Sequence, residues 1–343
     1  MIEETTETTP PLLSLYVPTY NRAALLSQAL RAILGQITPE MTHEVEVVVL
    51  DNASPDDTPA VVQKAQADFP HVPLRSVRRP ENIGCDANFT DAPNQTRGEF
   101  VYMLSDDDIL QPGAIAKLLE LIREHPDFDA FALNISHFTD DPKEQDIRVG
   151  FPIEEDRIIR DRDQALRLFG SHISFLSSMA FRRANVLGKD YTPRRNTNFG
   201  QAYLFLDALA PARGLYVTSQ RYLAMRQDNA EGYNVFRVLI TNFHALMQYA
   251  RQSGYSTEAV QEVLDQHLLN VYRVVMVLKS KGIGTLQPHY GDGLLRLLRS
   301  YGLSKFILLR FIPRLLVPYP LVALAQRLRR TLLHGSPAAR QAG

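Results

Sequence analysis

Over residues 12–125 short apolar runs alternate with segments of helical spacing, and each run ends in a polar stretch. "LLSLYVP" (12–18) is apolar and stops at Pro18, and "EVEVVVLD" (44–51) is β-branched and bounded by turn residues. "PLRSVRR" (73–79) and "EFVYMLS" (99–105) have the same character, so four strands are expected. Between them "NRAALLSQALRAILGQ" (21–36) repeats apolar residues at helical spacing behind Asn21 as N-cap. "NASPDDTPAVVQKAQADF" (52–69), "CDANFTDAPNQTRG" (85–98) and "QPGAIAKLLELIREH" (111–125) read as further helices. This alternation predicts an α/β fold with a doubly wound, mainly parallel sheet.

Beyond that stretch the pattern loosens. "DAFALNISHF" (129–138) reads as a strand, "RDQALRLFG" (162–170) as a short helix, and "ISFLSSMAFRR" (173–183) as a strand or buried loop. "FGQAYLFLDALAPARG" (199–214) reads as a helix and "LYVTSQRYLAMR" (215–226) as a strand. From about residue 233 apolar residues recur every three or four positions, in 234–254, 256–282 and 293–302. The expected organisation is an α/β domain over 1–232 and a helical, basic C-terminal region over 233–343.

Charge is unevenly placed. Residues 271–343 carry 12 Lys and Arg against one acid, Asp292, a net of +11, although the whole chain sums to −1. A basic end on an acidic body points to an anionic partner there. "SKFILLRFIPRLLVPYPLVALAQRLRR" (304–330) mixes long apolar stretches with arginines. It fits a segment lying on an anionic membrane surface or a packed helical cap whose arginines face water. No uninterrupted run of about 18 apolar residues occurs, so no transmembrane helix is expected. Nor is there the aromatic-basic interleaving of a nucleic-acid binder. The acidic N-terminus is unlike a secretory signal, and Cys85 as sole cysteine excludes an intramolecular disulfide or a Cys-based zinc site.

In open α/β sheets ligands bind beyond the carboxyl ends of the strands. Four polar segments follow the predicted strands there: "PTYNR" (18–22), "DNASPDD" (51–57), "RRPENIGCDANF" (78–89) and "SDDD" (105–108). Three adjacent carboxylates repel, so Asp106, Asp107 and Asp108 either hold a divalent metal or form a solvated helix start. In the first segment Pro18 fixes a turn, Thr19 offers a hydroxyl, Tyr20 a stacking face and Arg22 a guanidinium for phosphate; the alternative is a plain strand-to-helix turn. Asp51 is placed to accept from a nucleobase or ribose, or to cap a turn. Gly84 is expected at positive φ, with Asn82 or Asn88 reaching a nucleotide or making structural hydrogen bonds. Neither GxGxxG nor a Walker A motif is present.

"PTYNR", "VVVLDNASPDDT", "ENIGCDANF" and "YMLSDDDIL", in this order over 12–125, resemble the motifs of family 2 glycosyltransferases of the GT-A fold. The wording is nearest the abequosyltransferase-like branch, which builds bacterial surface polysaccharides such as O-antigen. The resemblance implies a nucleotide-sugar donor, Mn2+ or Mg2+, transfer of a hexosyl or deoxyhexosyl group with inversion, and a glycan or polyprenyl-diphosphate-linked acceptor. It implies a peripheral position on the inner face of the cytoplasmic membrane. Thr19, Tyr20, Arg22 and Asp51 would hold the nucleotide, with Asp106 and Asp107 as the acidic pair at ribose and metal and Asp108 beside them. The family's catalytic base often lies in a Glu-Asp pair opening a later helix. Gly200 and Gln201 stand in that stretch here, so Asp207, one to two turns on, becomes the candidate base or a helix surface acid. Asp140, Asp141 and His172 are weaker candidates. Arg182, Arg183, Arg194 and Arg195 either meet a pyrophosphate or are surface charges, and Tyr222 with "RQDN" (226–229) would help cover the donor. The competing functions are a nucleotidyltransferase, whose Gly-rich basic loop "PTYNR" lacks, and a nucleotide-binding homologue without activity.

Overall fold

The computed structural model describes residues 10–146, 150–227, 234, 236–280, 290–302 and 307–313. Two compact units divide the chain: residues up to 230 with 248–263, and residues 231–247 with those from 264 onward.

The first unit is built on one sheet. Its strands are β1 (Leu13–Thr19), β2 (Val45–Asp51), β3 (Leu74–Arg78), β4 (Phe100–Met103), β5 (Ile109–Leu110), β6 (Ala130–Phe138), β7 (Arg157–Ile159), β8 (Ala180–Arg182) and β9 (Leu215–Arg226). They lie in the order β3-β2-β1-β4-β8-β6-β9-β5, with β7 also on β9. β3, β2, β1 and β4 are parallel, as are β6 and β9. The mainly parallel α/β sheet expected from the sequence is therefore present, and β8 enters it antiparallel between β4 and β6. β5 and β7 escape a sequence reading because two or three residues are too few to show a period.

Around the sheet run α1 (Ala23–Leu34), α2 (Thr58–Asp68), α3 (Cys85–Thr90), α4 (Ala92–Gln95), α5 (Ala114–Glu124), α6 (Arg162–Phe169) and α7 (Gly200–Leu209). β1 and β2 are buried at every position, as befits parallel strands covered on both faces. Leu26, Leu30 and Ile33 of α1 and Leu118, Leu119 and Ile122 of α5 join Leu15, Val17, Val47 and Val49 in the main core.

One local expectation is corrected. Asn21 does not cap α1: it sits at φ 56° and the cap position is Arg22, which makes no side-chain cap bond. The helix start is served instead from the loop after β2, where Asp56 Oδ2 accepts from the Ala23 amide at 2.9 Å. Ser54 Oγ likewise accepts from the Asn21 amide at 2.9 Å. An Asn tolerates the left-handed region better than most residues, so Asn21 turns the chain and a neighbouring loop supplies the cap.

α8 (Phe243–Gln252) and α9 (Thr257–Ser280) have their facing ends, 248–263, in the first unit. The second unit holds their other ends and α10 (Tyr290–Tyr301). Its core joins Phe236, Ile240, Leu268, Val271, Val275, Leu297, Ile307 and Phe311. Among the described residues no helix is long and apolar enough to cross a membrane. Most of the basic tail, from residue 314, lies outside the described residues.

Candidate functional site

Parallel registration brings the strand ends to one edge. Thr19 pairs with Asp51 and Asp51 with Arg78, while Tyr16 pairs with Met103 two residues before Ser105. All four polar segments therefore meet, and three of them enclose most of a cavity of about 340 Å³. That is within the range of small-ligand sites. Pro18, Thr19, Tyr20, Arg22, Asn82, Asn88 and Asp106 line it, as do Asn52, Ser105 and Cys85. Tyr20 keeps 43% of its surface exposed.

The three aspartates have different surroundings. Asp106 accepts from Thr19 Oγ1 at 2.7 Å through Oδ2 and from Arg22 Nη1 at 3.2 Å through Oδ1. Asp107 accepts from the same Arg22 nitrogen at 3.0 Å and from Ser105 Oγ at 2.5 Å. Asp108 is committed elsewhere: Ser177 Oγ donates to it at 2.7 Å and the Arg226 amide at 3.2 Å. Its carboxyl is pushed well up by burial and then by Asp107. Burial also pushes Asp106 up to about 6, with the Arg22 charge and the Thr19 hydroxyl pulling the other way.

Asp51 is not a wall residue. Its Oδ1 accepts from the Ser54 amide at 2.8 Å, Arg78 Nε stands 3.5 Å from Oδ2, and that buried oxygen has no hydrogen-bond partner. A buried carboxylate oxygen in this state is an acceptor in want of a donor. Asn82 and Asn88 are tied into the protein. Asn82 Oδ1 accepts from Asn52 Nδ2 at 2.8 Å and from the Gly84 amide at 2.9 Å. Asn88 Nδ2 donates to the Leu50 carbonyl at 3.3 Å. Gly84 has φ 85°, as its turn requires.

Asp207 stands apart from this group. Buried in α7, its Oδ2 accepts from Tyr191 at 2.8 Å and Tyr249 at 2.9 Å, with Lys189 Nζ at 3.2 Å. Asp140 and Asp141 are exposed, and His172 meets Phe151 edge-on, with burial lowering its pKa. Arg182 bonds Glu99 and the Phe128 carbonyl, and Arg183 donates to the Pro93 carbonyl at 2.7 Å. The Arg194 guanidinium lies 5.4 Å from the Tyr203 ring and 4.9 Å from that of Tyr249; Arg195 is exposed. Arg226 lies over Phe138, and residues 228–229 are outside the described residues.

Two residues of consequence carry no sequence signal of their own. Asn52 bridges Asn82 to the Ile83 amide across the cavity wall. Asp86 on α3 accepts the amides of Thr197 (2.6 Å), Asn198 (2.9 Å) and Gly200 (3.0 Å), so the start of α7 is held by an acid from another helix. A Cβ at Gly200 would stand 2.9 Å from the Asp86 carbonyl oxygen, which explains the glycine where the resemblance leads one to expect an acid.

The family model for Glycosyl transferase family 2 matches residues 14–188, over half of the chain. The chain belongs to glycosyl transferase family 2. This family 2 member is 36% identical over 114 residues to the GalNAc(5)-diNAcBac-PP-undecaprenol beta-1,3-glucosyltransferase of Campylobacter jejuni, a match covering 33% of this chain and 35% of that one. It is 29% identical over 107 residues to abequosyltransferase RfbV of Salmonella typhimurium, covering 31% of each. The matched stretch thus spans about a third of the length of these curated relatives. Staphylococcus aureus TarS 1–349 in complex with UDP superposes with a TM-score of 0.62 at 18% identity, over 92% of this chain and 91% of that one. The mannosyltransferase PcManGT of Pyrobaculum calidifontis, solved with GDP-Man and Mn2+, gives 0.52 at 19% identity, over 96% and 89%. These likenesses place the family 2 member in the GT-A fold.

Among the described residues no group of three or more His, Cys, Asp or Glu is arranged to hold a metal. Asp106 and Asp107 nevertheless converge on one cation, the Arg22 guanidinium. Two carboxylates completed by ligand phosphate oxygens and water suit Mg2+ or Mn2+, which seldom take an all-protein cage. The pair fits such an ion, whereas Asp108 is spent on Ser177 and Arg226.

Proposed function

We propose that this chain transfers a hexosyl or deoxyhexosyl group, with inversion, from a nucleoside-diphosphate donor to a surface-glycan acceptor carried on a polyprenyl diphosphate. The observation that carries this is the cavity walled by the segments after β1, β3 and β4, where Thr19 and Arg22 orient Asp106. Tyr20 offers the stacking face for the base and Asp106 receives the ribose, while Asp51, which does not line the cavity, supports the nucleotide loop from behind through the Ser54 amide and Arg78. Asn82 and Asn88 shape the wall. Asp106 and Asp107 would hold the divalent cation, whose charge offsets that of the departing diphosphate. Arg22, on the cavity wall, offers a guanidinium for the diphosphate itself. The acceptor hydroxyl oxygen attacks the anomeric carbon as the bond to the diphosphate oxygen breaks, the nucleoside diphosphate leaves with that electron pair, and the hydroxyl proton is released to water.

The UDP and GDP-Man complexes of TarS and PcManGT support a nucleotide donor, and the undecaprenol-linked substrate in the Campylobacter relative's name supports a lipid-linked acceptor. We do not place the base on Asp207: two tyrosine hydroxyls and a lysine already use its outer oxygen. We assign it to holding α7.

A lipid-linked acceptor suits a peripheral position on an anionic membrane. Leu269, Val274, Leu295, Leu308 and Leu309 of the second unit are exposed, the last at 71%, and residues 271–343 carry a net charge of +11. The test is incubation with UDP-, GDP-, CDP- and dTDP-sugars and a polyprenyl-diphosphate glycan, following nucleotide release and glycolipid growth. One donor should be consumed only when acceptor is present, and Asp106→Ala with Asp107→Ala should abolish it. Turnover of a nucleoside triphosphate with a sugar phosphate would instead make the chain a nucleotidyltransferase.

A further inference from the structure

One nitrogen of Arg22 bridges both carboxylates of the acidic pair, at 3.2 Å from Asp106 and 3.0 Å from Asp107. The backbone there is fixed: Asn21 turns the chain at φ 56°, the Ala23 amide is held by Asp56, and the Leu26 amide by the Arg22 carbonyl. The side chain is less confined, with 39% of its surface exposed against 5% and 10% for the two acids. Two neighbouring carboxylates this deeply buried repel and are costly to leave without a counter-charge. Arg22 supplies that charge where a divalent cation would bind. A guanidinium and a divalent cation cannot share the position, because they repel at this separation.

We propose that Arg22 is a resident counterion that keeps the cation out of the empty site and yields to it only when a nucleoside diphosphate arrives. The incoming diphosphate offers the guanidinium a second anionic partner, matched to its planar fork, on the solvent side of the cavity. Arg22 then leaves Asp106 and Asp107 to the cation that the diphosphate brings. Binding becomes ordered: the cation joins with the nucleotide, not before it. This rests on the reading of the cavity as a nucleoside-diphosphate site.

The experiment is Mn2+ titration of the full chain, followed by the electron paramagnetic resonance of the free ion, with and without each of UDP, GDP, CDP and dTDP. Wild type, Arg22→Gln and Arg22→Lys are compared, and thermal unfolding is recorded in EDTA and in MnCl2. In wild type, one of these nucleotides should tighten Mn2+ binding at least tenfold. Arg22→Gln, with the Arg22 charge removed, should bind Mn2+ without nucleotide at least tenfold tighter than wild type. Its melting temperature should lie below that of wild type in EDTA and recover in MnCl2. Arg22→Lys, which keeps a cation, should bind metal alone as weakly as wild type. Arg22→Gln binding Mn2+ no tighter than wild type would overturn the proposal. Were that variant unfolded in EDTA, recovery of its circular dichroism on adding Mn2+ would support the same exchange, and no recovery would count against it. Failure of wild type to bind any of UDP, GDP, CDP and dTDP at any metal concentration would instead remove the nucleotide reading itself.

Discussion

At the scale of the residue, the site depends on a few side chains that settle charge in a buried place. Thr19→Val removes the hydroxyl that donates to Asp106 at 2.7 Å while keeping the shape of the side chain. Hydrogen bonds to charged groups contribute roughly 1.5–3 kcal/mol, so affinity for the donor nucleotide should fall about tenfold or more in calorimetric titration. Gly200 is the second sensitive position. Gly200→Ala drives a methyl into the Asp86 backbone at 2.9–3.0 Å, and overpacking of this kind costs about 1–3 kcal/mol. Its urea midpoint should drop accordingly, and an acid introduced there should be tolerated no better. The aspartate run was legible as a charge problem from sequence alone. Its division into a pair bridged by Arg22 and a third acid held by Ser177 and Arg226 was not, because those partners of Asp108 lie 69 and 118 residues away.

At the scale of the element, the four strands of the first third and their helices could be read because each is long enough to show a period and is closed by turn residues. The Asn21 cap could not be read, since the bond to the Ala23 amide comes from Asp56, 33 residues on. Nor could the fate of Asp207, whose tyrosine partners come from a loop 16 residues before it and a helix 42 residues after. The helices of the second unit carry a titratable group of their own. His267 on α9 stacks on Phe243 at 3.6 Å between ring centroids and bonds the Leu239 carbonyl at 2.7 Å. Burial lowers its pKa from 6.5 to about 4. A histidine depressed in the folded state binds fewer protons than in the unfolded one, so its contribution to stability is present above the unfolded pKa. It is lost as pH falls from about 6.5 to about 4, by up to about 3 kcal/mol at 1.36 kcal/mol per pKa unit. The denaturant midpoint should fall over that window, and His267→Gln should flatten the part of the curve that belongs to this helix.

At the scale of the whole molecule, an acidic body and a basic end were visible as bare composition, and the described part of the second unit adds exposed leucines to the arginines. Sedimentation with vesicles of phosphatidylglycerol should retain the chain, and phosphatidylcholine vesicles should not. Leu309→Asp should weaken that retention about tenfold, the order expected for removing one leucine from an apolar contact. Binding that ignores both lipid charge and Leu309 would exclude this surface as the membrane contact. The proposed transfer takes place in the cavity walled by the segments after β1, β3 and β4. Its most direct test is calorimetric titration of the full chain with UDP, GDP, CDP and dTDP, each with and without Mn2+. The account predicts that one of the four binds tightly and that Mn2+ strengthens it at least tenfold, with the effect lost in Asp106→Ala combined with Asp107→Ala. No binding of any of the four by a folded sample, with or without the metal, would contradict it.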